Sequence, residues 1–224
     1  MLRKIRLIAA TLCFVLITLL FLDFTGTLHG WFGWLAKIQF LPAVLALNVG
    51  VVLFLVLLTL AFGRVYCSVI CPLGVFQDVV ARIGRRGKKL PYSYSPALSW
   101  LRYGVLFVFV LALVAGVGSL VALLAPYSAY GRIANNLFQP LWMWGNNLFA
   151  YLAARVESYA FYEVDVWMKS LPTVLAALAT LVVLVVLAWR NGRTYCNTIC
   201  PVGTVLGFIS RYSLYRVTID TDKC

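Results

Sequence analysis

Charged residues are scarce in this chain: only 12% of its 224 residues are Asp, Glu, Lys or Arg, whereas 63% are hydrophobic. A soluble domain usually carries about 25% charged residues and at most about half apolar ones. The mean hydropathy of +0.93 agrees with this deficit of charge. So few charges cannot cover a water-facing surface, and the composition therefore excludes an ordinary soluble domain and predicts a membrane protein.

Acidic residues and histidine are rarer still, with 7 Asp and Glu and one His against 19 Lys and Arg. The chain also lacks a phosphate-binding loop, a Ser/His/Asp arrangement and a dinucleotide fingerprint, so no residue is assigned a catalytic role. The net charge of +12 does not require a nucleic-acid partner. The basic residues flank apolar segments, where they suit anionic membrane lipid.

Four apolar segments reach the roughly 20 residues that a helix needs to cross a bilayer. They are Ile5–Phe24, Gln39–Phe62, Leu98–Leu124 and Leu171–Trp189. The first begins like a signal peptide, but its apolar run is long and no small-residue cleavage site follows, so we expect it to be retained. With the N-terminus inside, most basic residues lie on the inner side, and the positive-inside rule places both termini in the cytoplasm. The exceptions are Lys37, Arg132, Arg155 and Lys169.

The stretch 125–170 is rich in Trp, Tyr, Phe and Asn. Aromatic side chains in a moderately polar stretch suit the bilayer interface. We expect one or two helices lying in the interface plane, or alternatively a short re-entrant pair, on the outer side of the membrane. The predicted fold class is thus an all-α membrane protein with about four transmembrane helices, as two repeated hairpins, plus interfacial helices.

An internal repeat organises the chain. Residues 63–74 (the first motif) and residues 192–203 (the second motif) agree at eight of twelve aligned positions, and each contains Cys-x3-Cys-Pro. Each motif follows the second helix of a predicted hairpin, so both lie on the cytoplasmic side. Repeats of equal orientation are related by an axis along the membrane normal, which would bring Cys67 and Cys71 close to Cys196 and Cys200.

The Cys-Pro step predicts the local structure of each motif. Proline disfavours helical backbone at the residue before it and suits the first position of a new helix. We expect helices to begin at Pro72 and Pro201, the first of them amphipathic, with Gln77 and Asp78 on its polar face. The positive N-terminus of that helix should lower the pKa of Cys71 and favour its thiolate.

Four cysteines in two such loops suit three kinds of chemistry. Iron–sulfur clusters usually take four cysteines, and bacterial ferredoxin sequences contain Cys-x3-Cys-Pro. A dithiol could instead bind or reduce copper or another metal ion, and four thiolates also satisfy a structural zinc ion. A permanent disulfide is disfavoured in a reducing cytoplasm, and Cys13 is interpreted as a small buried residue within the first span.

The last residues predict a further element. Tyr215–Asp220 alternates like a short strand, and Asp-Lys-Cys follows, so Cys224 is interpreted as the first ligand of a ferredoxin domain that continues beyond this chain. The predicted organisation is a first hairpin with its motif and amphipathic helix over 1–90, and a second hairpin with the aromatic insert and second motif over 91–212. The start of the ferredoxin domain covers 213–224.

At these residues the chain resembles the NapH/NosR/CcoG-like group of membrane ferredoxin-type proteins. The resemblance rests on Cys67, Cys71, Cys196 and Cys200 with their prolines, and on the ending at Cys224. It implies [4Fe-4S] clusters held by these five cysteines, with quinone as a further cofactor to consider. It also implies an electron-transfer subunit of an oxidoreductase system in the bacterial inner membrane. Such a subunit moves electrons between the quinol pool or cytoplasm and a ferredoxin-type or reductase partner; the open alternative is a copper-binding or copper-reducing assembly factor.

Overall fold

The computed structural model describes residues 2–84, 98–155, 162–166 and 170–215. Within these ranges all regular structure is helical, which confirms the predicted all-α class for the described part of the chain. The helices are α1 (Leu2–Leu22), α2 (Thr27–Phe32), α3 (Trp34–Lys37), α4 (Phe40–Leu45), α5 (Val49–Phe62), α6 (Pro72–Gly84), α7 (Ser99–Val114), α8 (Gly118–Leu124), α9 (Pro126–Ile133), α10 (Gln139–Ala154), α11 (Leu171–Asn191), α12 (Thr194–Thr198) and α13 (Pro201–Ile209). Two π-helical turns, Tyr66–Ile70 and Ala134–Phe138, and a 3-10 turn, Ser210–Tyr212, complete the regular structure.

Two of the four predicted spans are single long helices. Lys4–Leu22 within α1 and Leu171–Asn191 are long and apolar enough to cross a membrane, judged on the described residues by length and composition. The other two segments contain only the shorter apolar helices Val49–Phe62 and Ser99–Val114. The prediction of one continuous helix over Gln39–Phe62, and another over Leu98–Leu124, is therefore wrong.

Both of these segments are interrupted by the same turn. Leu47 has φ 50° and Gly116 has φ 71°. In each turn the amide of the next residue donates to the carbonyl oxygen five residues earlier. Asn48 donates to Ala43 and Val117 donates to Ala112, both at 2.9 Å. A left-handed residue ends a helix and reverses the chain. Neither turn contains proline or a charged residue, so the hydropathy pattern gave no sign of it.

The turn between α4 and α5 folds the two helices against each other. The Tyr66 hydroxyl donates to Oε1 of Gln39 at 2.9 Å, and the Phe40 amide donates to the Tyr66 hydroxyl at 3.0 Å. A straight helix rises 1.5 Å per residue, so Gln39 and Tyr66 could not meet without this reversal. The residues before α4 thus lie beside the first motif.

The segment that follows α8 does not remain apart from the motifs. Tyr130, Ile133 and Ala134 are fully buried in one apolar cluster together with Cys67, Cys71 and Cys200. This packing agrees with the re-entrant alternative for the first part of 125–170. Exposed aromatic side chains on α10, among them Trp142 and Trp144, retain the character predicted for an interface.

The repeat is visible in the backbone. Helix α5 ends at Gly63 with φ 70° and helix α11 ends at Gly192 with φ 73°, and after each glycine a short helical turn carries the first cysteine of its motif. Helix α6 packs against α11, and α13 packs against α5 and α7. Each half thus contributes a helix to the other. The domain boundaries after residues 90 and 212 remain predictions.

Candidate metal centre

The four motif cysteines are free and buried. Cys67 is 8% exposed, Cys71 3%, Cys196 7% and Cys200 3%. Cys67 and Cys196, one from each motif, are near enough for the charge of one to raise the pKa of the other, after the larger effect of burial. That all four cysteines share one site stays a prediction. Cys13 is a partly buried residue of α1, and Cys224 lies outside the described residues, as does the predicted strand after Tyr215.

The backbone around the second cysteine of each motif has the predicted form. Cys71 has φ −74° and ψ 115° and Cys200 has φ −67° and ψ 117°, the extended conformation that a following proline favours. Helices α6 and α13 begin at Pro72 and Pro201. This part of the sequence interpretation is confirmed.

Glycine at the end of each motif is a steric requirement. A Cβ atom on Gly74 would collide with the carbonyl oxygen of Cys67, and one on Gly203 would collide with the carbonyl oxygen of Cys196. The helix that follows each cysteine pair therefore packs directly onto the backbone of that pair. This close approach explains why both copies of the motif end in glycine.

The prediction of a lowered thiol pKa at Cys71 is wrong. Burial, followed by the neighbouring charge of Cys67, raises its pKa to about 12. The amides of Gly74 and Leu73 at the start of α6 act in the predicted direction, but loss of hydration is larger, because burial disfavours the charged form of a thiol. The pKa values of Cys67 and Cys196 are likewise raised to about 12, first by burial.

The four thiols are electrostatic neighbours across the two motifs. Cys196 raises the pKa of Cys67, and the pKa of Cys200 is raised by burial, then by Cys196, Cys71 and Cys67. Thiolates in such a group repel one another. A bound cation would remove both this repulsion and the cost of burial, since metal ligation deprotonates a thiol outright.

Two donors point at the sulfur atoms of the second motif. The Gln77 side-chain amide donates to Sγ of Cys196 at 3.2 Å, and the Gly203 amide donates to Sγ of Cys200 at 3.3 Å. Gln77 is fully buried and its Oε1 has no hydrogen-bond partner. The sequence interpretation placed Gln77 on the polar face of an amphipathic helix and therefore missed its contact with the site.

An ion pair joins the two halves beside the cysteines. Arg193, which precedes the second motif cysteines, donates through Nε to Oδ1 of Asp78 at 2.6 Å and through its second nitrogen to Oδ2. Bidentate pairing of this kind fixes both side chains. On the other half, Arg64 donates to Oδ1 of Asn197 at 2.9 Å. Arg64 and Arg193 both lie near enough to Cys67 to oppose, in part, the rise in its pKa that burial causes.

The donor set fits an iron–sulfur cluster. Four thiols, shielded from water and supplied as two pairs, are the ligands that [4Fe-4S] clusters take. As they stand, no three or more His, Cys, Asp or Glu side chains in the described ranges form a group that could hold a metal ion. Neither a cluster nor a zinc ion, whose sulfur ligands lie about 2.3 Å from the metal, thus has a preformed site in the described residues.

Two segments match the family model of the 4Fe-4S binding domain. The matched residues are 44–91 and 173–218, and each segment contains one of the two cysteine motifs. The match supports a ferredoxin-type iron–sulfur protein with an iron–sulfur cluster as its cofactor, and so confirms the cofactor that the family resemblance implied. No curated protein and no solved structure matches the chain.

Proposed function

We propose that this protein is a membrane-bound iron–sulfur electron-transfer protein whose cluster ligands are Cys67, Cys71, Cys196 and Cys200. The observation that carries the proposal is the coincidence of the two 4Fe-4S domain matches with four buried, mutually close thiols. We further propose, from its resemblance to the NapH/NosR/CcoG-like group, that it lies in a bacterial inner membrane with both termini in the cytoplasm.

When bound, the cluster supplies reversible one-electron chemistry. The chain's own residues adjust the site for it. Burial of the four sulfurs excludes water, and Gln77 and the Gly203 amide stabilise negative charge on sulfur. Arg193, anchored by Asp78, offsets part of the negative charge of four thiolates.

The proposed electron donor within the membrane is a quinol. A cavity of about 360 Å³ lies between α4 and the α7–α8 turn, with mostly apolar walls and with Tyr127 and Ser128 of α9 at its edge. Cavities of this size and character suit small organic ligands. The next turns of α9 carry Tyr130 and Ile133, which pack with the cysteines, so α9 connects the cavity to the proposed cluster.

The first experiment tests the cluster. The chain is purified anaerobically, and iron, acid-labile sulfide and the EPR spectrum are measured for the parent, Cys67→Ser, Cys196→Ser and the control Cys13→Ser. We expect a cluster signal in the parent and in the control, and its loss in both motif variants. Iron that stays unchanged in both motif variants would refute the ligand assignment, and an anaerobic parent without iron would refute the function.

A second experiment tests the quinol. Ala112→Phe fills the cavity, whereas Val114→Phe adds the same side chain at a neighbouring exposed position. We expect quinol-dependent reduction of the cluster to fall only in Ala112→Phe, while reduction by dithionite is unchanged. Equal rates in the two variants would place the quinol elsewhere. The family match at both cysteine motifs favours an iron–sulfur cluster over the copper alternative.

A further inference from the structure

The two halves differ at one charged position beside the motifs. When Pro72 is aligned with Pro201, Asp78 corresponds to Gly207, and Arg193 corresponds to Arg64. Asp78 receives both hydrogen bonds from Arg193. In the other half the arginine is present but the carboxylate is missing.

The place of the missing carboxylate is surrounded by guanidinium groups. The Cζ atom of Arg64 lies 3.6 Å from the position that a Cβ atom would take on Gly207, and a terminal nitrogen of Arg102 lies closer still. Arg102 is held there by Thr204, donating to Oγ1 at 3.3 Å and to the carbonyl at 3.2 Å. Arg211 is a further electrostatic neighbour of Arg102.

These arginines have no acidic partner among the described residues. The ion pairs in those ranges are His29–Asp23 and Arg193–Asp78, and neither involves the three. Guanidinium groups held near one another repel unless an anion lies between them. Their planar arrays of N–H donors match carboxylate and phosphate oxygens.

The neighbours of this arginine cluster (Arg64, Arg102 and Arg211) favour phosphate from lipid. Large apolar and aromatic side chains next to it in the sequence are exposed, among them Trp100 at 88%, Phe208 at 57% and Tyr212 at 72%. A soluble acidic protein bound to the arginines would leave these apolar side chains exposed to water. Exposed Trp and Tyr beside basic residues are instead typical of the headgroup level of a bilayer. Phe208 and Tyr212 also contact each other edge to face.

We propose that the arginine cluster over Gly207 binds the phosphate of an anionic phospholipid headgroup. The proposal rests on the membrane location proposed above and is independent of the metal. The lipid phosphate pairs with Arg64 and Arg102 as the Asp78 carboxylate pairs with Arg193 in the other half.

The test measures binding of phosphatidylglycerol and phosphatidylcholine to the full chain in detergent, by native mass spectrometry. Gly207→Asp supplies the missing carboxylate, and Gly207→Ala adds bulk without charge. Either side chain requires only the flexible end of Arg102 to move. Arg102→Gln removes a donor, and Arg190→Gln is the matched control on an exposed arginine at the end of α11.

We expect phosphatidylglycerol affinity to fall about tenfold in Gly207→Asp and Arg102→Gln, the effect of losing one charge-assisted contact. It should fall less in Gly207→Ala than in Gly207→Asp, because the alanine Cβ only displaces the end of Arg102. It should stay within about twofold in Arg190→Gln, with phosphatidylcholine unaffected. Equal affinities in all variants would overturn the proposal, as would equal losses in Gly207→Ala and Gly207→Asp. Displacement by free glycerol phosphate or by an acidic peptide at equal concentration would assign the cluster to another anion and overturn it too.

Iron content measured in the same samples separates this proposal from the electron-transfer function. Lipid selectivity in a chain that never binds iron would support the lipid site and refute the function. Iron retained in Gly207→Asp with phosphatidylglycerol binding unchanged would support the electron-transfer function and refute the lipid site.

Discussion

The first and second motifs have nearly the same backbone and different neighbours. Each follows a helix that ends in a glycine of positive φ, each has an extended cysteine before proline, and each packs a glycine onto a cysteine carbonyl. Outside the motifs the likeness ends. Gln77 donates to Cys196, but its counterpart Leu206 has no donor, and Asp78 pairs with Arg193, but its counterpart is Gly207. The comparison teaches that repeated residues fix the cysteine loops, while residues one or two turns later make the halves electrostatically unequal.

The two turns that interrupt Gln39–Phe62 and Leu98–Leu124 also share a backbone shape but differ in sequence. Both interrupted segments reverse at a left-handed residue, which is Leu47 before α5 and Gly116 before α8. The shape is shared, but only the second turn uses the residue that adopts it without steric cost. We expect the largest effects on stability and iron binding from substitutions at the motif glycines that both halves share. Substitutions at residues that differ between the halves should have smaller effects.

Gly74→Ala and Gly203→Ala should have the largest effect. The added Cβ meets a backbone carbonyl that has no freedom to move, and overpacking of this kind costs about 1–3 kcal/mol or more. We expect loss of cluster iron and a lower unfolding midpoint in detergent for both variants. Gly104→Ala is the matched control, because a Cβ on Gly104 meets nothing within 4 Å; iron retention equal to that of this control would contradict the steric explanation.

Asp78→Asn should have the next largest effect. It removes the charge from a bidentate pair that is about one-third exposed, so we expect a loss of about 1 kcal/mol in the free energy of unfolding. The measurement is chemical unfolding in detergent at low and high salt, and the difference from the parent should shrink at high salt. The control is Arg82→Gln, because Arg82 is an exposed residue of the same helix. An equal loss of stability in this control would show that the Asp78–Arg193 pair does not stabilise the fold.

Gln77→Leu makes α6 of the first half resemble α13 of the second half. Loss of one hydrogen bond to sulfur, worth about 0.5–1.5 kcal/mol, should lower the reduction potential by roughly 20–60 mV for one electron. The reciprocal change Leu206→Gln should raise the potential if the new amide reaches Cys67. Redox titration followed by EPR measures both. A potential that is unchanged in Gln77→Leu would show that the amide does not act on the cluster.

Substitutions at the turn residues Leu47 and Gly116 should have the smallest effects on stability, and these effects should have opposite signs. Leu47→Gly relieves a non-glycine residue from positive φ and should stabilise the fold, whereas Gly116→Ala should destabilise it, each by about 0.5–1 kcal/mol. Unfolding midpoints of the two variants provide the measurement. A shift in the same direction for both would mean that the two turns are not equivalent.

Much of the site could be predicted from the sequence because it is local. The Cys-Pro step sets the backbone of the residue before proline, and the repeat places Cys67, Cys71, Cys196 and Cys200 at equivalent points. The type and number of these ligands left a cluster, another metal ion and dithiol chemistry open, and the family resemblance and the family match favoured the cluster. The sequence did not predict the turns at Leu47 and Gly116, because an apolar segment keeps its hydropathy whether or not it reverses.

The sequence by itself determined that the chain is helical and apolar in composition, and that the two cysteine loops share one conformation. Both properties depend only on composition or on neighbouring residues. Only the tertiary structure decided the environment of those loops. It buried the thiols so deeply that desolvation outweighs the helix N-terminus at Cys71, and it turned Gln77 towards sulfur. Among the described residues it also gave Arg64 and Arg102 no carboxylate partner. These outcomes depend on contacts between residues more than 100 positions apart, which no local pattern records.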